Sequence, residues 1–147
     1  MFKIYIIIFS LIFTNLPAEI LKKLNVSGNE RISEETIKVY GDITIGKDYS
    51  AFDTNEIIKK LYSTNFFEDI KVSLKNGILD IAVKEYAIIN NIELRGEKSN
   101  TVGSKVLEQL QLKAKESFIE NKLVEDINLI KKIYGSLGFN FVSVEPK

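Results

Sequence analysis

A short helical run, Ile58-Lys59-Lys60-Leu61-Tyr62, returns later in the chain as Ile130-Lys131-Lys132-Ile133-Tyr134, and in the same register Phe67 meets Phe139 and Val72 meets Val144. Upstream, Leu24-x-Val26-x-Gly28 matches Ile92-x-Leu94-x-Gly96 at a slightly shorter offset, so the second copy carries a small insertion between its first strand and its later helix. A repeat of roughly 70 residues is too long for a solenoid unit and suits a small domain in tandem. The 147 residues hold two such units and little else.

Within the first copy, Leu24 and Val26 alternate with Lys23 and Asn25, the pattern of a half-buried strand, and Gly28-Asn29 ends it. Ser33 followed by Glu34 and Glu35 places a hydroxyl cap and first-turn acids at a helix start, with Ile37 and Tyr40 on one face. After a loop containing Gly46, Asp53-x-x-Glu56 resembles a capping box, and Ile57, Ile58, Leu61 and Tyr62 form the apolar stripe of a second helix that Asn65 stops. Ile70-Lys71-Val72-Ser73-Leu74 and Ile78 to Val83 then flank Asn76-Gly77, the strongest short hairpin signal. The order is β-α-α-β-β. If both helices cover one face, the hairpin's second arm sits between the other two strands, leaving 70–74 at an edge.

The second copy predicts a strand over Ile88 to Leu94, helices over Ser104 to Leu112 and Phe118 to Leu137 with Gly138 as terminator, and a strand over Phe139 to Val144. Lys147 falls where the first copy stands at Lys75, so the third strand is missing. Without that bridge, Ile92, Leu94, Phe141, Val142 and Val144 are expected to form an open apolar sheet that is unstable alone, and the chain is expected to be a fragment of a longer protein.

Composition narrows the chemistry. There is no Cys and no His, which removes thiolate nucleophiles, imidazole bases and the usual zinc ligands. Twenty basic residues balance twenty acidic ones, so no basic face is implied and nucleic acid is a poor partner. Met1 to Ala18 has a single Lys3, an apolar run from Ile4 to Phe13 and then Leu16-Pro17-Ala18. That run is too short to span a bilayer, which takes about 20 apolar residues. It reads as a secretory leader over 1–18 with Glu19 as the mature terminus, or as an uncleaved anchor.

The residues around Leu21 to Ile32, with Leu24-x-Val26-x-Gly28-Asn29-x-Arg31-Ile32, and the run Leu61-Tyr62-x-Thr64-x-Phe66-Phe67-Glu68-Asp69-Ile70 resemble the polypeptide-transport-associated (POTRA) domain. A leader followed directly by two such units is similar to the amino-terminal end of the outer-membrane protein assembly factors of Gram-negative bacteria. Where that family often has Arg-Pro between domains, Glu85 is here followed by Tyr86-Ala87, so a proline-stiffened joint is not implied. The resemblance implies an α+β fold of tandem POTRA modules, 19–86 and a truncated 87–147, each a three-stranded mixed sheet covered by two helices. It also implies a periplasmic, non-enzymatic module at the outer membrane that receives unfolded outer-membrane proteins and docks accessory assembly lipoproteins. The whole protein would reach the membrane through a carboxy-terminal barrel absent here. No cofactor, metal or small-molecule substrate is implied.

The candidate site is the edge strand Glu68, Asp69, Ile70, Lys71, Val72, Ser73 and Leu74, whose unpaired main-chain groups an extended client can complete by β-augmentation. Lys71 and Ser73 would face outward and Ile70, Val72 and Leu74 inward. The plainer reading is a solvated edge that Lys71 protects from pairing. Gly28 and Gly96 read as tight strand exits, Tyr62 and Tyr134 as core residues with the hydroxyl at the rim. Lys59-Lys60 and Lys131-Lys132 read as solvated helix faces or weak contacts to anionic lipid heads. Glu68 with Asp69, and Glu125 with Asp126, are chain neighbours and do not face each other as a catalytic pair would. The alternative is a divisome-type POTRA interaction protein of the FtsQ/DivIB kind, anchored by the amino-terminal segment; the short apolar run and the tandem copy argue against it.

Overall fold

The computed structural model describes residues 18–147. The leader expected over 1–18 therefore lies, apart from Ala18, outside the described residues. From Glu19 the elements run β1 (Glu19–Ile20), β2 (Lys23–Ser27), α1 (Glu34–Tyr40), β3 (Asp48–Tyr49), α2 (Ala51–Ser63), β4 (Phe67–Lys75), β5 (Ile78–Glu85), α3 (Asn100–Gln109) and α4 (Glu120–Ser136).

The first copy is a three-stranded mixed sheet in the order β2-β5-β4, with β5 parallel to β2 and antiparallel to β4. The hairpin's second arm is central, as the sequence order requires. Asn76 and Gly77 both have positive φ, 54° and 78°, the requirement of a type I′ turn. Leu79, Ile81 and Val83 of β5 pack with Ile57 and Leu61 of α2, Ile37 of α1 and Phe67 and Ile70 of β4 in one buried cluster. Gly28 exits β2 at φ 79°, and a Cβ there would lie 2.1 Å from the Val83 carbonyl oxygen; the residue is fixed by backbone approach.

Several local details differ from the sequence reading. α2 begins earlier, because extended Ser50 is its cap: the Ser50 hydroxyl accepts from Asp53 N–H, and the Asp53 carboxylate accepts from Ser50 N–H at 2.8 Å. Asp53 is thus the third residue of the box rather than its cap. A two-stranded sheet of β1 and β3 was not foreseen; it carries the chain past the hairpin tip, where the Glu19 carboxylate accepts from Gly77 N–H at 2.7 Å and Lys22 N–H donates to Gly77 O at 2.7 Å.

In the second copy both helices form, but α3 starts at Asn100 and α4 ends at Ser136. The expected strands at 88–94 and 139–144 form no ladder; only Ile88 bridges, to Ser117. Their alternation survives: Ile92, Leu94, Val142 and Val144 are half-buried between exposed neighbours, and Ile92, Leu94 and Val144 pack on the cluster of Val106, Leu110 and Ile130. The physical reason is the missing middle: no segment equivalent to β5 is among the described residues, and outer strands without a central one have nothing to bond. Phe139 and Phe141 are exposed.

Candidate functional site

The geometry of β4 follows from its turn. A two-residue type I′ turn closes on a pair that exchanges both main-chain bonds, here Lys75 with Ile78, and bonded pairs then alternate along an antiparallel ladder. Register pairs Ser73 with Asp80 and Lys71 with Ala82, so these residues turn their N–H and C=O toward β5. Ile70, Val72 and Leu74 turn theirs away, to the open side. An independent contact agrees: Ile70 N–H donates outward, to the Tyr62 hydroxyl at 3.2 Å.

Side chains alternate across the sheet. Ile70 is buried and Val72 and Leu74 are half-buried against the core, whereas Lys71 and Ser73 are exposed. Half-buried Ile58 packs on the same core from α2. The strand's beginning is irregular, with a register shift between Phe67 and Asp69 that marks a bulge. Glu68, at that bulge, receives the Lys84 ammonium at 2.7 Å, and this hydrogen bond and charge hold the Lys84 pKa above its usual value. Asp69 lies 3.4 Å from Lys71 Nζ. Acids and lysines at this edge are thus paired with each other, leaving little net field.

The hairpin's far end is tied down by a contact the sequence did not reveal. The Glu85 carboxylate accepts at one oxygen from the N–H groups of Glu30, Arg31 and Ile32, at 2.9, 3.0 and 2.9 Å, while its other oxygen lies 3.1 Å from Arg31 Nε. Burial pushes its pKa up, but the three backbone donors and the guanidinium outweigh burial and hold it below the usual 4.5. Arg31 also donates to Tyr86 O at 3.2 Å. Beyond it, linker and α3–α4 loop pair: Ile89 N–H donates to Glu116 O and Phe118 N–H to Ala87 O, at 2.9 and 2.7 Å.

Asp126 makes a second contact that the sequence did not reveal. It is buried and accepts from Gln111 and Leu112 N–H at 2.7 and 2.9 Å, fixing the turn after α3. The readable signal was its position: three residues after Leu123 and four before Ile130, on the apolar stripe of α4. Tyr134, the counterpart of Tyr62, gives its hydroxyl to the Glu97 carboxylate; burial first, then that carboxylate, raises its pKa to about 12. Among the described residues no group of His, Cys, Asp or Glu could hold a metal ion, and no helix is long and apolar enough to cross a membrane.

A mixed sheet in this order, covered on one face by two helices and preceding a second helix pair, defines a class. Residues 87–147 match the family model of the POTRA domain, described as a surface antigen variable number repeat. The chain thus matches the POTRA family over its second copy. Its fold is similar to that of the N-terminal domain of Omp85 from Thermosynechococcus elongatus, with a TM-score of 0.56 at 16% identity over 82% of this chain and 52% of that one. POTRA1-2 of the periplasmic domain of Omp85 from Anabaena gives 0.51 at 14% identity, over 89% of this chain and 88% of that one.

Among named proteins, the chain is similar to the outer membrane protein assembly factor BamA. It is 28% identical to BamA of Neisseria meningitidis serogroup B over 129 residues, 86% of this chain and 16% of the relative. To BamA of Neorickettsia risticii it is 28% identical over 81 residues, 55% of this chain and 11% of the relative. The chain spans between 11% and 22% of the length of the curated relatives it matches.

Proposed function

We propose that the chain is an exported, periplasmic binding module of an outer-membrane protein assembly machine, and that the open row of β4 receives unfolded β-barrel clients as an added strand. One observation carries the reading: the outward N–H and C=O groups of Val72 and Leu74, beside a hairpin pinned at both ends by Glu19 and Glu85. The kinship with BamA supports the setting. Transmembrane barrel strands alternate apolar and polar residues, and β4 offers a matching pair of flanks, with Val72 and Leu74 on the core side and Lys71 and Ser73 on the wet side.

The magnitude suits a hand-over. Four main-chain bonds at about 1 kcal/mol each amount to about 4 kcal/mol, a dissociation constant of about 1 mM before side chains add to it. Such binding is reversible and indifferent to most of the client's sequence. Docking of accessory lipoproteins, and attachment to the membrane through a barrel, belong to the same reading by kinship. The function is one of binding and calls for no catalytic group.

The test uses proline, which deletes one donor. Val72→Pro removes an outward N–H and leaves the β5 ladder bonded, whereas Lys71→Pro breaks that ladder. Crosslinking to a nascent outer-membrane client should fall at least about fivefold in Val72→Pro, the weight of one hydrogen bond, with the fold retained. Unchanged crosslinking in a folded Val72→Pro protein overturns augmentation at β4.

A further inference from the structure

The outward row of β4 has three donors, and they are not equivalent. Val72 and Leu74 N–H have no partner among the described residues, but Ile70 N–H is already held, at 3.2 Å, by the hydroxyl of Tyr62. Tyr62 stands in the last full turn of α2, 41% exposed, so its ring sits beside the edge rather than inside the core. We infer that the Tyr62 hydroxyl is a stop that sets how far an added strand can pair along β4. The inference rests on the docking proposed above and specifies which part of the edge a client strand occupies.

An added strand bonds to β4 through every second residue. Coming from the turn end, it meets Leu74, then Val72, then Ile70. At Ile70 a client carbonyl must displace the tyrosine oxygen, exchanging one neutral hydrogen bond for another with no net gain. Past Ile70 the bulge between Phe67 and Asp69 breaks the alternation in any case. The hydroxyl therefore moves the limit of pairing inward from the bulge, to Val72. A strand limited in this way makes fewer bonds and leaves more readily.

The contact is not an automatic result of a tyrosine at this point of the repeat. Tyr134 occupies the same place in the second copy, stacks edge-on with Phe139, and gives its hydroxyl to Glu97 instead of to the main chain. The Tyr62 pairing is a property of the copy that has a completed sheet and an edge to limit.

The experiment compares the chain with its Tyr62→Phe variant, which keeps the ring and deletes the oxygen. Each is titrated with an extended peptide of alternating valine and threonine, and backbone amides are followed by NMR; unchanged β5 amides show that the fold is kept. In the unaltered chain, Val72 and Leu74 should shift and slow their exchange while Ile70 does not respond. In Tyr62→Phe, Ile70 should respond as well, and the peptide should bind about fivefold tighter, the weight of one neutral hydrogen bond. An Ile70 response already present in the unaltered chain overturns the stop. So does equal or weaker binding by Tyr62→Phe, which would make the hydroxyl inert or a client contact. Were Tyr62→Phe to unfold, the free chain decides alone: Ile70 N–H must exchange more slowly than Val72 and Leu74 N–H, and equal rates overturn the inference. Absence of any response at Val72 and Leu74 in both proteins instead removes docking at β4 itself.

Discussion

The two copies of the repeat share a helix motif and an apolar pattern, yet only one of them closes a sheet. In the first, β5 lies between β2 and β4, and its Leu79, Ile81 and Val83 complete a core that also takes in Leu21, Phe67 and Leu61. In the second, the segments around Ile92 and Val144 pack on α3 and α4 in the places of outer strands, and the buried cluster comprises only Val106, Leu110 and Ile130. The helices do not need the central strand in order to form, since apolar periodicity and, for α3, the Ser99 cap supply them locally. The outer strands do need it, because their main-chain bonds have no other destination. The difference also separates two kinds of openness: the second copy is open in its middle, whereas the first is closed in its middle and open at its edges, β4 among them.

The largest effect expected from this comparison is in the cores. Phe67→Ala removes a fully buried ring and should cost the first copy about 4 kcal/mol, whereas Ile130→Ala, in a thin cluster that can collapse, should cost the second about 2 kcal/mol. Residue-resolved hydrogen exchange reads the two copies separately. Equal costs would break the contrast between a closed core and an open one.

A smaller effect is expected at the tie between β5 and the loop after β2. Glu85→Ala leaves three N–H groups without their acceptor and should cost about 3 kcal/mol at neutral pH. Because the folded carboxyl titrates below its usual value, its contribution is complete above about 4.5 and is lost as pH falls through the folded value. Urea unfolding of the first copy should therefore show the gap between wild type and Glu85→Ala narrowing from pH 7 toward pH 3. A gap that stays constant would mean that Glu85 acts by packing and not by charge.

The sequence shows these features unevenly, for physical reasons. The hairpin was legible in full because Asn76-Gly77 carries its own φ requirement, and the central place of β5 followed from element order. The helix caps were legible to within a few residues, with Ser50 overlooked in favour of Asp53 because both can cap and only the chain's entry angle decides. Glu85 was silent: its partners Glu30 to Ile32 lie far away in sequence, and an acid at a strand end reads as solvated. The hydroxyl of Tyr62 was placed at the rim, but its bond to Ile70 depends on the turn through Thr64 and Asn65, which composition does not specify. The absence of a ladder in the second copy was not legible, because a strand pattern states which face is buried and says nothing about whether a neighbour exists.

The central claim, that the first copy keeps one row of β4 main chain free for an added strand, has a direct measurement in amide hydrogen exchange with and without an unfolded outer-membrane polypeptide. Lys71 and Ser73 N–H, bonded to β5, should exchange slowly in both states. Val72 and Leu74 N–H should exchange fast in the free chain and slowly when the polypeptide is bound. Fast exchange at Val72 and Leu74 in the bound state, with protection gained elsewhere, would contradict the account.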